Sequence, residues 1–155
     1  MDPLLRELEP LLDAKPFDQG AVLRACVRGF GADLGTLHLW DAGAQLLRLA
    51  AEHALPPPVR EKVLAIPLGK GMAGLAAERK EPVSVCNLQT DTSGVARPGA
   101  KATGMEGSVA IPLLDAAGEL RGVLGIASAE PRLWTSEELA RCLAVGRRIA
   151  ERLRG

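Results

Sequence analysis

The sequence predicts an α+β domain built on an antiparallel sheet of about six strands, and three observations predict it. The chain has 155 residues, the length of one domain able to bury about two-thirds of the surface its unfolded form exposes. Two pairs of strand-like segments are joined by short connections containing glycine, the pattern of hairpins and so of antiparallel pairing. Amphipathic helical stripes stand at both ends of the chain, and such helices cover a sheet. The expected organisation is a single domain over 1–155, with a helical extension at 1–17 and a core at 18–153.

The first helix is read from Leu4, Leu5, Leu8, Leu11 and Leu12, behind an Asp2 cap with Pro3 at the first helical position; Pro10 is expected to kink or split it. A second helix starts at Asp18, where Phe17 and Val22 have staple spacing, and Leu23, Cys26, Val27 and Phe30 carry its stripe as far as Gly31. Residues 36–40 and 45–53 alternate as strands around Asp41-Ala42-Gly43-Ala44. Pro56-Pro57-Pro58 breaks that pattern, and residues 59–63 fit one helical turn before a short strand at 64–68. A helix at 71–79 and a strand at 83–86 follow. From Asn87 to Gly107 glycines and small polar residues dominate, so the segment reads as a long, mobile loop, and long loops in compact domains are often functional. A second hairpin, 108–114 with 119–128, turns on Asp115-Ala116-Ala117-Gly118. Thr135-Ser136-Glu137-Glu138 is a capping box for a last helix striped by Leu139, Cys142, Leu143, Gly146, Ile149 and Leu153. Pro67 and Pro112 cannot donate to a ladder, which places each at an edge or a bulge.

Composition narrows the function classes. Nineteen basic and nineteen acidic residues balance, and without a basic run or a set of aromatic platforms nucleic acid is not an expected partner. The opening segment lacks the basic start and apolar stretch of a signal peptide, and no run of 18 apolar residues occurs, so a cytoplasmic protein off the membrane is expected. Cys26, Cys86 and Cys142 are scattered and form no metal-ligand spacing, and no metal or cofactor is expected. Cys26 and Cys142 fit packed stripes, and Cys86, in a Val-Ser-Val-Cys strand with no basic neighbour in sequence, reads as a buried small hydrophobe.

Three stretches resemble the GAF domain family of small-molecule sensor modules. The first is Ile66-Pro67-Leu68-Gly69-Lys70-Gly71-Met72-Ala73-Gly74-Leu75-Ala76 with Glu81-Pro82-Val83 and the 87–91 loop. The second is Ser108-Val109-Ala110-Ile111-Pro112-Leu113-Leu114 with Gly122-Val123-Leu124-Gly125-Ile126. The third is Trp134-Thr135-Ser136-Glu137-Glu138-Leu139, and together they cover roughly residues 18–153. The resemblance implies a GAF-like, PAS-related sheet, with the terminal helices on one face and a short helix plus long loop over a pocket on the other. It also implies pocket residues: Met72, Cys86, Asn87, Asp91, Ser108 and Ala110. His38, on the strand face it shares with Thr36 and Trp40, could line that pocket or be a structural residue.

Rival chemistries lose support residue by residue. The Gly-x-Gly-x-x-Gly string at 69–74 with Asp91 downstream invites a dinucleotide reading, but that fingerprint belongs in a parallel βαβ unit. Free methionine-(R)-sulfoxide reductases resemble GAF domains and need reactive cysteines at the turn and in the loop, where this chain has Val63, Ala73 and no cysteine between Asn87 and Gly107. Covalent bilin attachment finds no His in the loop, and the cyclic-nucleotide motif of the family is absent. Ser108, His38 and Asp91 can be drawn as a triad, but without a nucleophile elbow. The expectation is a non-enzymatic sensor for an unknown small molecule, acting through a separate signalling protein because the chain has no room for an output domain. The alternatives are a reductase-like enzyme and a degenerate module serving assembly alone.

A homodimer through the terminal helices is expected from charge. Residues 1–18 carry five acids against Arg6 and Lys15, and residues 132–154 carry six arginines against Glu137, Glu138 and Glu151, so the two ends have opposite sign. Seven-residue spacings in the last helix fit either a seam or the domain's own sheet. Residues 88–106, with few apolar anchors, are expected to act as a ligand-gated lid.

Overall fold

Asp2 opens the fold: its carboxylate accepts from the Leu4 N–H at 2.8 Å and caps α1 (Pro3–Asp13). The computed structural model describes residues 2–153. Helix α1 runs unbroken through Pro10, which neither splits nor ends it. Leu4, Leu8 and Leu12 are buried on one stripe, and their packing holds the last turn despite the missing N–H. Asp18 caps α2 (Gln19–Gly29) by accepting from Ala21 at 3.0 Å, and the chain leaves through Phe30 and the left-handed Gly31.

Six strands follow in a single sheet: β1 (Leu34–Asp41), β2 (Leu46–His53), β3 (Ala65–Pro67), β4 (Val83–Val85), β5 (Gly107–Leu114) and β6 (Leu120–Ser128). Their order is β3-β2-β1-β6-β5-β4, and each neighbouring pair is antiparallel. No parallel crossover frames the glycine string, which removes the dinucleotide reading. The two outer strands have only three residues each, a length that leaves little edge for pairing with another chain. Pro67 lies on the β3 edge, and Pro112 lies two residues past Ala110, the last β5 residue paired with β4, where its missing donor costs nothing.

Between the strands come α3 (Pro57–Lys62), α4 (Gly71–Arg79) and α5 (Pro98–Lys101), and α6 (Ser136–Arg152) closes the chain behind the Thr135–Glu138 capping box. Helices α1, α2 and α6 cover one face of the sheet, where Leu8, Leu23, Leu37, Ile111, Leu124 and Ile149 are sealed from solvent. Each such side chain contributes about 1.5–3 kcal/mol by leaving water.

Helices α1 and α6 run parallel, because ion pairs join residues a constant distance apart in sequence: Asp2 with Arg141, Glu9 with Arg148 at 2.7 Å and Asp13 with Arg152 at 2.9 Å. The opposite charges of the two ends therefore meet within one chain; Arg154, counted in that charge, lies outside the described residues. Gly146 sits against Leu113 and Ile111, so the middle of the α6 stripe faces its own sheet.

Candidate functional site

The other face of the sheet is only partly covered. Helix α4 packs on Leu47, Val83, Val85, Ala110 and Val123, and beside it the sheet is left open. Alternation along the strands presents Thr36 and His38 of β1, Gly125 and Ala127 of β6, and Ser108 and Ala110 of β5 to this side. Small residues here make a floor without bulk, and above it lies a cavity of about 470 Å³. Helix α3 and its Val63 cap close one wall, the first turn of α4 another, and α5 of the long loop a third.

The glycine string has a structural cause. Gly69 and Gly71 have φ of +77° and +67°, a region open to glycine. A Cβ on Gly74 would lie 2.5 Å from the Pro67 carbonyl oxygen, so only glycine lets α4 return this close to the end of β3. The Gly69 N–H bonds back to the Gly74 carbonyl at 2.9 Å and locks the turn.

His38 is the one buried titratable side chain on the cavity wall, at 2% exposure. Its Nε2 donates to the Val63 carbonyl at 2.8 Å, joining β1 to the α3 wall, and its Nδ1 has no partner among the described residues. Burial holds the imidazole below its ordinary pKa, against the opposing pull of the Val63 carbonyl. The ring is therefore neutral at pH 7, with Nδ1 an unmet acceptor.

Of the residues read from sequence, Met72, Ser108, Ala110 and His38 line the cavity together. Three stand outside it. Cys86 is exposed rather than buried, one residue past the end of β4, and its carbonyl accepts from Arg132 at 2.9 Å. Asn87 accepts from the Gln89 N–H at 3.0 Å in a local turn, and Asp91 accepts from the Ser93 hydroxyl at 2.7 Å. The triad drawn from Ser108, His38 and Asp91 is not assembled, because Asp91 is elsewhere and the N–H of His38 faces Val63.

Sequence reading missed Thr36, Lys62, Lys70, Arg97 and Gly125, which also line the cavity. The long loop is more anchored than its composition suggests. Leu88 is buried, its N–H donates to Glu106 at 2.7 Å, and the Gln89 side-chain amide donates to the carbonyls of Lys101 at 3.0 Å and Met105 at 2.7 Å. Its base is thus closed like an Ω-loop, with α5 carried over the cavity.

No cysteine lines the cavity. Cys26 and Cys142 lie in the core on the opposite face, where burial pushes their thiols up to about 12 and about 11, far from the thiolate form that attacks. Among the described residues, no group of three or more His, Cys, Asp or Glu could hold a metal ion, and no helix is long and apolar enough to cross a membrane.

The GAF domain family matches residues 19–150. The GAF domain from a phosphoenolpyruvate-protein phosphotransferase of Coxiella burnetii is similar at TM-score 0.76 and 26% identity, over 97% of this chain and 90% of that one. A free methionine-R-sulfoxide reductase from Neisseria meningitidis, solved with its substrate, is similar at TM-score 0.76 and 19% identity, over 97% of this chain and 86% of that one. The corresponding GAF domain from an Acinetobacter phosphotransferase gives 0.74 and 18%, over 97% and 89%. A comparison with curated proteins finds no match.

Proposed function

This chain belongs to the GAF domain family, and we propose from that premise that it is a non-enzymatic sensor of a small molecule. Its bound or empty state would be read by a separate signalling protein or by a second copy of the chain. The observation that carries the reading is the cavity of about 470 Å³ between the sheet and α4, within the size range of small-molecule sites and walled by a neutral, buried histidine. An open cavity also speaks against a degenerate module that serves assembly alone.

Fold likeness does not separate a sensor from a reductase, since both kinds of protein resemble this chain to a similar degree. The non-enzymatic part of the reading is supported by the thiols: two are buried on the far face and the third is outside the cavity. Homodimerisation through the terminal helices belongs to the same proposal. A second copy would meet their outward surface, where Leu143 is 37% exposed.

Thermal-shift screening of the full chain against nucleotides, amino acids, tetrapyrroles and small aromatic acids tests the proposal. A ligand at 100 times its Kd stabilises the fold by about 2.7 kcal/mol and raises Tm. A raised Tm with at least one class, without turnover, is the expected result. Turnover of free methionine sulfoxide that is lost in Cys86→Ser would overturn it.

A further inference from the structure

One wall of the cavity hangs on a histidine. Helix α3 has six residues, too few to persist alone, and Ala54 leads toward it with φ of +60°, a left-handed conformation that a non-glycine residue keeps only when its surroundings impose it. The approach is set by β2. Its ladder to β1 slips between Leu37 and His38, which leaves Ala50 extra, so Leu47 and Leu49 pack on the cavity side of the sheet and Ala51 on the helix-covered side. Such a bulge bends its strand, and the chain beyond this one crosses the open face as α3.

Little holds that wall down. Leu55 and Val59 pack on Leu34 and Ala127 in a small cluster apart from the two larger cores. Leu49 donates its N–H to the Leu64 carbonyl at 3.0 Å, and His38 Nε2 donates to the Val63 carbonyl at 2.8 Å. Val63 is the C-cap of α3, so its carbonyl is one that a helix end leaves without an internal partner. His38 supplies the missing donor.

The arrangement suits only the neutral ring. His38 is 2% exposed beneath the wall, and its Nδ1 is sealed without a partner among the described residues. A proton added there makes a buried cation with one N–H unmet. The charged groups lining the cavity are Lys62 of α3, Lys70 and Arg97, all of them cations. Glu52 of β2 reaches Arg60 of α3 at 3.7 Å and forms no pair with the ring. Arg48 of β2 and Arg121 of β6 hold Asp41 and Asp115, His53 ends β2, and α2, which carries Arg24 and Arg28, packs on the opposite face of the sheet. The second N–H therefore finds an acceptor only in water, once the wall lifts.

We propose that His38 is an acid-sensitive latch on the cavity: the neutral ring holds α3 to the sheet through Val63, and a proton taken from solvent at Nδ1 releases α3 and opens the cavity. The only covalent change is the N–H formed at Nδ1, and the hydrogen bond to Val63 is exchanged for water. The latch goes beyond the sensor reading and needs no ligand, so the two stand or fall separately.

Hydrogen exchange of the full chain, corrected for intrinsic rates at each pH, tests the latch at the Leu49 amide, whose acceptor leaves with the wall. If the open state takes up the proton with a pKa of about 6.5, the opening equilibrium rises about tenfold from about pH 7.5 to about pH 5.5. Leu49 is expected to exchange faster than the amides of β5 and β6 at both pH values. His38→Gln retains a donor for Val63 without titrating and should abolish the rise, while His53→Gln should keep it. No rise in the wild type, a rise of the same size in His38→Gln, or its loss in His53→Gln overturns the latch. Protection of Leu49 equal to that of β5 and β6 also overturns it, because α3 then opens only with the whole fold. Should His38→Gln not fold, the wild type and His53→Gln decide alone: a one-proton rise setting in at about pH 6.5 in both supports the latch, and its absence from either overturns it.

Discussion

Acidifying the protein from about pH 7.5 to about pH 5.5 tests the neutral, buried state assigned to His38. The folded imidazole has a lowered pKa, so across this window the unfolded chain binds the proton and the folded chain resists it. Stability must then fall as pH drops through about 6.5, and the loss continues until the folded pKa is reached. With an unfolded value of about 6.5, one such group removes up to about 1.3 kcal/mol over the window. Carboxylates held below their ordinary range, Asp2 by Arg141 and Glu138 by Arg132, lose their contribution only at lower pH. In His38→Gln the side-chain amide can still donate to Val63 but does not titrate, and His53 remains in both proteins, so the difference between them isolates His38. Urea denaturation followed by circular dichroism at the two pH values supplies the four stabilities. The reasoning fails if wild type and His38→Gln show the same pH dependence, or if wild type gains stability at the lower pH.

Two further outcomes follow from the packing of the glycine turn and of the thiols. Gly74→Ala places a Cβ 2.5 Å from the Pro67 carbonyl and 3.2 Å from the Gly69 nitrogen, both backbone, and should cost about 1–3 kcal/mol in denaturant unfolding. Gly43→Ala, whose nearest neighbour is an Asp41 side-chain oxygen at 3.6 Å, should stay within about 0.5 kcal/mol; equal effects would show that the glycine run is not a packing device. An aromatic disulfide reagent should label Cys86 in the native protein, and Cys26 and Cys142 only after unfolding, since both are sealed in the core. Native-state labelling of a second thiol would contradict that placement.

Elements set by neighbouring residues were legible in the sequence. Asp2, Asp18 and Thr135 cap the helices they were expected to cap, and both hairpins turn where glycine and aspartate allow. What depends on distant parts of the chain was not legible. The opposed charges of the two ends read equally as attraction between chains, because nothing local says that α1 and α6 lie parallel and align Glu9 with Arg148. Cys86 continues an apolar strand pattern, yet β4 ends at Val85 and the thiol turns out to solvent.

The cationic wall of the cavity shows why such features hide. Lys62, Lys70 and Arg97 come from α3, the turn before α4 and the long loop, so no window of sequence holds them together. One local sign was nevertheless present. Helices α1, α2 and α6 each start with an Asp or Thr side chain accepting from the first turn, whereas α4, the remaining described helix of comparable length, starts at Lys70 with no such acceptor. A missing cap lowers helix stability by about 1 kcal/mol and has no meaning while the helix is considered alone. Lys62, Lys70 and Arg97, none of which has a carboxylate within 4.0 Å among the described residues, stand beside that uncapped turn, so the departure from the capping rule comes into view only once the fold has brought three separate segments to one wall.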